Sequence, residues 1–268
     1  MRQPADRCRF KETFRLNTMP ISVCILINEW RPVVLKVIES YAGCCSEIII
    51  GANGGFSLEA HPELLANPKV KGFSLVWKGY GQTKNELARL AENDWILSVD
   101  ADEVADEKLQ RTLQLWHPES QGTIYALGRC HHLAGRPVQH GAWSTGKQKV
   151  FRLYNRNYTQ WDEAEVHEKI QIPEGARIIA LAGQMNHYTA DSYEDFIEKN
   201  RHYARLSAAK YRNQNKVIFP GKSWLSAGFG FLKDYIFRLG FLDGRAGWQV
   251  AKGNALYTFW KYHFMKEK

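Results

Sequence analysis

The 268-residue chain is expected to be an α/β protein built on a mixed, mainly parallel sheet with helices on both faces, followed by a C-terminal helical extension. Three observations carry that expectation. Short apolar runs of strand character alternate with segments of helical periodicity through the first hundred residues. One such run, Trp95-Ile96-Leu97-Ser98-Val99, ends abruptly in Asp100-Ala101-Asp102-Glu103, which places carboxylates at the carboxyl end of a buried strand. From residue 191 onward the pattern is helical, broken at Pro220-Gly221 and again at 240–244.

In order, residues 21–27 form a short apolar strand, and 30–41 a helix with Pro32 near its start and Val33, Val34, Val37, Ile38 and Tyr41 at helical spacing. Residues 47–50 are a second strand, 58–65 a short helix, 70–76 a third strand, 83–92 a helix opened by the capping box Thr83-x-x-Glu86, and 95–99 a fourth strand. A βαβαβαβ order of this kind gives a parallel sheet whose ligands sit beyond the carboxyl ends of the strands, where Asp100 and Asp102 fall. Further on, 107–116 reads as a helix and 123–130 and 148–154 as strands, with the Gly- and His-rich stretch 131–146 as a functional loop or hairpin insertion between them. A strand at 178–181 leads through a glycine turn to His187. Residues 191–212 form a helix capped by Asp191 or Ser192, and 223–239 and 245–264 form two more.

Hydrophobic residues make up 44% of the chain, enough for a core. The polar, charged N-terminus has the character of neither a signal peptide nor an anchor, and no window reaches the ~18 uninterrupted apolar residues of a membrane span. Cys8, Cys24, Cys44, Cys45 and Cys130 show no Cys-x-x-Cys pair and no zinc spacing, so reduced packing cysteines and a cytoplasmic location are expected. The net charge of +8 is uneven: residues 201–268 hold 13 Lys/Arg against three acids and 15 of the 34 aromatic residues. That combination suits peripheral contact with an anionic membrane surface, and equally an ordinary helical subdomain with an aromatic core. A pI near 9.2 also raises nucleic-acid binding, but no recognised nucleic-acid motif is present and no such partner is expected.

Three segments can carry chemistry. Clustered acids at 100–103 repel one another and are tolerable where a divalent cation such as Mg²⁺ or Mn²⁺ bridges them to phosphate, although a plain helix cap accounts equally for an isolated Asp-x-Asp. In Lys78-Gly79-Tyr80-Gly81-Gln82-Thr83-Lys84-Asn85-Glu86, glycines that permit close backbone approach precede a helix N-terminus, and Lys84 and Asn85 in its first turn could meet a diphosphate. Trp161-Asp162-Glu163-Ala164-Glu165-Val166-His167-Glu168 offers four acids and a histidine, as a general base near an acceptor hydroxyl requires. A solvated acidic loop is the plainer reading of any one of them. His187 is a candidate third metal contact, or a phosphate contact, although a lone histidine is more often structural.

Together these residues resemble the family-2 glycosyltransferases, inverting enzymes with the nucleotide-diphospho-sugar-binding GT-A fold. Trp77-x-Gly79-Tyr80-Gly81-x-x-Lys84-Asn85, Leu97-x-x-Asp100-Ala101-Asp102-Glu103, His140-Gly141-x-Trp143, Val166-His167-Glu168, Lys199-x-x-x-Tyr203 and Gly240-Phe241-Leu242-Asp243-Gly244-Arg245 resemble the branch that adds β-1,4-linked glucose to the inner core of lipopolysaccharide or lipooligosaccharide. The resemblance implies an N-terminal extension over 1–19, a catalytic domain over 20–190 and a basic, aromatic-rich helical region over 191–268. By the same resemblance Asp102 binds the divalent metal that bridges the donor diphosphate. Asp100 contacts the ribose or the metal shell, Lys84 and Asn85 lie near the nucleotide, Glu168 is the first choice of base, and Trp143 and His167 face the acceptor. The implied donor is a nucleotide sugar, UDP-glucose first, and the implied acceptor a heptose of the lipid-linked core at the inner face of the cytoplasmic membrane.

The chain also departs from that pattern. Leu26-Ile27-Asn28-Glu29 keeps the Asn and Glu that follow the first strand but lacks the preceding Thr, and Gly51-Ala52-Asn53-Gly54-Gly55 lacks the Asp that usually holds the nucleotide. Asn53 or Glu29 is expected to substitute. The same chemistry on a polyprenyl-linked glycan, capsule unit or peptide is an alternative, as is a non-catalytic binding protein on a nucleotide-sugar fold.

Overall fold

The structure is a computed structural model that describes residues 20–144, 149–163, 168–214, 216 and 218–266. The expected N-terminal extension, Glu165 and His167 lie outside the described residues.

The first half of the chain lays down β1 (Ile21–Ile27), α1 (Val33–Ala42), β2 (Glu47–Ala52), β3 (Val70–Ser74), α2 (Tyr80–Arg89) and β4 (Trp95–Asp100), with a 3-10 turn at Pro62–Leu65 where a short helix was expected. Then follow β5 (Glu103–Ala105), α3 (Glu107–Gln114), β6 (Thr123–Leu133), β7 (Arg136–Val138), β8 (Lys149–Asn155) and β9 (Arg177–Ala190). The strands form one nine-stranded sheet in the order β3-β2-β1-β4-β8-β6-β9-β5, with β7 added on β6. The β3-β2-β1-β4 half is parallel throughout. Past β4 the sheet is mixed: β4 with β8, β8 with β6, and β5 with β9 run antiparallel, while β6 and β9 run parallel. In the first half helical crossovers link the parallel neighbours, whereas past β4 most neighbours are antiparallel and need none, the β6–β9 pair being the parallel exception.

Strand alternation assigns the two faces. Ile21, Val23, Ile25 and Ile27 of β1 join Leu97 and Val99 of β4 in a core closed by Val34, Val37 and Tyr41 of α1 and by Leu109 and Leu113 of α3. Cys24, Ile49 and Ile96, one residue out of phase, pack instead on Leu87 and Ala88 of α2. Helices thus cover both faces of the sheet. The cysteines follow the same logic: Cys24, Cys44, Cys45 and Cys130 are free and buried, and burial pushes the Cys44 thiol up to about 11 and that of Cys45 to about 12.

Two elements differ from expectation in ways that move site residues. Helix α2 starts at Tyr80 after Gly79, whose φ of 92° suits glycine, so Thr83 is not its cap. The Thr83 hydroxyl donates back to the Gly79 carbonyl at 2.7 Å, Glu86 pairs with Lys78 at 2.9 Å, and Lys84 and Asn85 lie in the second turn rather than the first. The strand expected at 178–181 does not end at its glycine. Gly183, with φ 91°, absorbs a register shift against β6, and the strand continues to Ala190. His187 therefore sits within β9, paired with Glu103 on one side and His131 on the other.

The C-terminal region consists of α4 (Tyr193–Asn213), α5 (Lys222–Leu232) and α6 (Gly244–Phe264). Ser192 caps α4, accepting from the Asp195 N–H at 3.0 Å. The single helix expected over 223–239 is α5 plus a π-helical turn, Lys233–Phe237, ended by Leu239 in the left-handed region at φ 60°. Here two motifs distant in sequence meet. Asp243 accepts from the N–H groups of Gln139 and His140 at 3.0 and 2.7 Å and contacts the His140 ring at 2.9 Å, tying the C-terminal region to the hairpin of β6 and β7. A Cβ on Gly247 would overlap the Gly240 carbonyl oxygen, so this junction requires glycine.

Candidate active site

The carboxyl ends of β1 and β4 and the inner part of β9 open on a cavity of about 1510 Å³, lined also by Tyr203 and Tyr211 of α4 and by Tyr257 of α6. Register places Asp100 beside Leu26, so Asn28 and Glu29, just past β1, lie next to the acidic edge and line the same cavity. Asp100 shares strand parity with Ile96, which packs toward α2, and it meets Lys84 of that helix.

Lys84 is almost fully buried. Its Nζ donates to Asp100 Oδ1 at 3.2 Å and to Glu168 Oε1 at 2.9 Å, and lies 4.3 Å from the Trp161 ring centroid. On the other side of Asp100 the cations are Arg152 of β8 and Arg129 of β6. Arg152 contacts Asp100 closely and Glu103 at 3.0 Å, while Arg129 contacts Glu103 closely and reaches Asp100 at 3.5 Å. Glu103 is fully buried and also accepts the Asp100 N–H at 3.1 Å. Asp102 has a separate pair of partners, Arg31 Nη1 at 3.2 Å and His187 Nε2 at 3.3 Å. Behind His187, its Nδ1 stands 3.0 Å from Nδ1 of His131, which also lies 3.1 Å from the Thr189 hydroxyl.

The charges are therefore neutralised within the chain itself. Burial alone would raise the pKa of Asp100, but Arg152, Lys84 and Arg129 outweigh it and hold the carboxyl well below the usual range. For Asp102 burial is again opposed, here by His187 and then Arg31, and the carboxyl is lowered. Burial likewise opposes the Arg152 charge, and Asp100 and Glu103 hold the guanidinium above its ordinary value.

Among the described residues, no group of three or more His, Cys, Asp or Glu converges to hold a metal ion. Asp102 Oδ1 and His187 Nε2 nevertheless lie 3.3 Å apart at the cavity wall, an oxygen and a nitrogen donor close enough to share one ion. Two protein donors suit Mg²⁺ or Mn²⁺ that takes its remaining ligands from phosphate and water.

The cavity thus gathers Asn28, Glu29, Lys84, Asp100, Asp102, Glu168 and His187. Other candidates lie elsewhere. Asn53 is buried with its amide donating to the Ile27 carbonyl at 3.3 Å. Asn85 exchanges two hydrogen bonds of 2.9 Å with the backbone of Trp161. Trp143 packs between His131 and Phe196, one ring behind His187. Of the acids at 162–168, Asp162 accepts from the Lys169 N–H at 3.1 Å and Glu163 is exposed, whereas Glu168 reaches Lys84. Gly81 makes a close approach, but to protein: a Cβ there would overlap the Asp162 carbonyl oxygen.

Sequence reasoning missed Arg31, Arg129 and Arg152. Arg152 carried a usable signal, a charge inside the apolar run Val150-Phe151-Arg152-Leu153-Tyr154 where a buried strand requires a partner for it.

No protein-family model matches the chain. Among curated proteins it is 23% identical over 238 residues to an uncharacterized glycosyltransferase of Rickettsia typhi, covering 85% of this chain and 80% of that protein. An uncharacterized glycosyltransferase of Rickettsia conorii is 23% identical over 241 residues, covering 86% and 84%. Among solved structures, GalNAc-T7 with UDP, GalNAc and Mn²⁺ superposes with a TM-score of 0.47 at 12% identity, over 72% of this chain and 51% of that one, so the chain spans about half its length. S. aureus TarS gives 0.44 at 14% identity over 90% and 55%, and its 1–349 fragment with UDP-GlcNAc gives 0.42 at 12% over 89% and 81%. Across most of its length the chain is similar to proteins named as glycosyltransferases.

Proposed function

We propose that the chain is an inverting, metal-dependent glycosyltransferase of GT-A type that moves a hexose, glucose first, from a UDP-sugar to a heptose of the lipid-linked inner core of lipopolysaccharide. The observation that carries this reading is the acidic edge of β4 in the cavity wall, with Asp102 beside His187 and with Lys84 joining Asp100 to Glu168. Residues 20–190 would supply the chemistry, and 191–268 would complete the cavity and meet the acceptor at the inner face of the membrane. No helix among the described residues is long and apolar enough to cross a membrane, so that contact is peripheral in this reading.

Asp102 and His187 would hold the divalent metal, whose chemistry is to neutralise the departing diphosphate. Lys84 is placed to exchange a carboxylate for a donor phosphate, since its ammonium already bridges the two sides of the cavity. Release from Lys84 leaves Glu168 free to take the proton of the acceptor hydroxyl as that oxygen attacks the anomeric carbon and the diphosphate leaves in line. A single displacement on an α-linked donor gives a β linkage. Asn28 and Glu29, which line the cavity beside Asp100, take the nucleotide-side role that the sequence also offered to Asn53.

The test is incubation with a panel of nucleotide sugars and a truncated core lipid, followed by mass analysis. A hexose added to the lipid from UDP-glucose is the expected product. Hexose addition only to a polyprenyl-linked glycan or peptide would replace the acceptor, and donor binding without release of nucleoside diphosphate under any acceptor would replace the enzyme with a binding protein.

A further inference from the structure

Helix α5 is amphipathic in the reverse of the usual sense. The side that packs inward presents Ser223 and Ala227, with Asp234 continuing it into the π-helical turn. The outward side carries Leu225, Phe229, Leu232 and Ile236, at spacings of four, three and four residues, and Phe237 beyond them. Leu225 is 67% exposed, Phe229 64% and Phe237 74%, and Trp224 beside them is 72% exposed. A helix that faces water on one side places such residues inward, so large apolar side chains lined up outward mark a surface that something covers.

The charges around this stripe indicate what covers it. Between residues 216 and 252 the cations are Lys216, Lys222, Lys233, Arg238, Arg245 and Lys252, and the acids are Asp234 and Asp243 alone. Both acids turn inward: Asp234 is buried against Arg238 and Asn254, and Asp243 is held by the His140 loop. Lys216, Lys233, Arg238, Arg245 and Lys252 are all exposed. A second copy of the chain seated on the stripe by twofold symmetry would bring these cations against their own kind. A bilayer with anionic headgroups satisfies both features at once, taking the apolar stripe below headgroup level and the cations at it.

We infer that the outward face of α5 and the following π-helical turn is a membrane-docking element that lies in the plane of an anionic bilayer, with Leu225, Phe229, Leu232, Ile236 and Phe237 inserted. This names the element that would make the peripheral contact of the proposed function, and it holds or fails independently of what the cavity transfers.

The experiment is co-sedimentation of the full chain with phosphatidylglycerol-containing vesicles and with pure phosphatidylcholine vesicles across a salt series, alongside nucleotide binding measured by calorimetry without lipid. Binding to the anionic vesicles that weakens with salt is the expected result. Withdrawing one such side chain from the bilayer costs roughly tenfold in partitioning, so Leu225→Ser with Phe229→Ser lowers it by about a hundredfold, with an unchanged melting temperature and unchanged nucleotide affinity. Lys222→Gln with Lys233→Gln weakens binding to the anionic vesicles by roughly tenfold or more and reduces its salt dependence, while leaving the fold intact. Absence of vesicle binding by the unaltered chain, or equal binding by the folded double-serine variant, overturns the inference. Self-association that the double-serine variant abolishes, in a chain that ignores vesicles, overturns it in favour of a second copy. Vesicle binding without any nucleotide affinity leaves the docking element standing and sinks the transferase reading instead.

Discussion

Asn85→Ala separates two roles for a residue that the sequence placed beside the nucleotide. In the structure its amide forms a closed pair with the Trp161 backbone, donating to the carbonyl and accepting from the N–H, each at 2.9 Å and both buried. Trp161 in turn bridges Ile170 and lies under the Lys84 ammonium, so the pair anchors the segment from which Glu168 reaches the cavity. Alanine leaves one buried donor and one buried acceptor unpaired, at about 1–3 kcal/mol each, and partial relaxation brings the total to roughly 2–4 kcal/mol. For a chain of this size each kcal/mol moves the melting temperature by about 2–4 °C, so calorimetry should record a fall of roughly 5–15 °C. Urea denaturation should show a lower midpoint with an unchanged m-value. Nucleotide affinity should change little, while turnover falls because the Glu168 segment loses its anchor. A stability loss under about 0.5 kcal/mol together with lost nucleotide binding would refute the anchoring role and return Asn85 to the nucleotide.

Other perturbations test neighbouring parts of the argument. Gly81→Ala forces the Asp162 carbonyl aside, and should lower turnover sharply while far-ultraviolet circular dichroism stays native; unchanged kinetics would mean that the 162–168 segment does not depend on this contact. Glu168→Gln keeps an oxygen for Lys84 to donate to but cannot take a proton, so turnover should fall by about 10²–10⁴ with donor affinity nearly intact. Unaltered turnover would move the base to Asp162, Glu163 or Glu165. Glu47 is buried far from the cavity; burial raises its pKa, but Ser22, Lys71 and the Glu92 N–H outweigh that and lower it. A lowered carboxylate contributes stability above its unfolded pKa of about 4.3 and loses it as the pH falls through the folded value, so Glu47→Gln should flatten the decline in stability below about pH 5. An acid limb identical to that of the unaltered protein would show that Glu47 titrates alike in both states.

What the sequence disclosed was periodicity, and periodicity located the parallel half of the sheet. β1, β2 and β4 were visible because their alternate residues belong to two cores and both sets are apolar. The second half was harder to read. β9 runs through Gly183, which read as a turn but serves as a register shift, so His187 was expected after a strand rather than inside one. The helix start was misplaced because Thr83-x-x-Glu86 has the spacing of a capping box, whereas the chain uses Thr83 to bond back to Gly79 and opens the helix a turn earlier. Asp100, Asp102, Lys84 and Glu168 could be listed from sequence, but their pairing could not. It depends on Arg129 and Arg152 from strands that join the sheet far along the chain, and on Arg31 from the turn before α1.

That pairing bears on how donor and metal would bind. Asp100, Asp102, Glu103 and Glu168 face Arg31, Lys84, Arg129 and Arg152, so the acidic edge is balanced by its own cations before any ligand enters, and the acids alone create no demand for a divalent ion; elsewhere in the lining Lys149, Lys169 and Lys210 outnumber Glu29. A nucleoside diphosphate brings ionised phosphates against that balanced edge. Either it draws Lys84 away and leaves Glu168 and Asp100 less compensated, or a divalent ion enters with it beside Asp102 and His187 and restores the balance. The second route makes the two ligands mutually dependent: Mn²⁺ should bind weakly alone, and each should tighten the other by the same factor, about tenfold to a hundredfold. Titration calorimetry of UDP with and without Mn²⁺, and of Mn²⁺ with and without UDP, measures both legs. Asp102→Asn should abolish the coupling while leaving the metal-free UDP affinity nearly unchanged. UDP affinity indifferent to Mn²⁺ in the unaltered protein would remove the ion from the donor site and leave Lys84 as the group that meets the diphosphate.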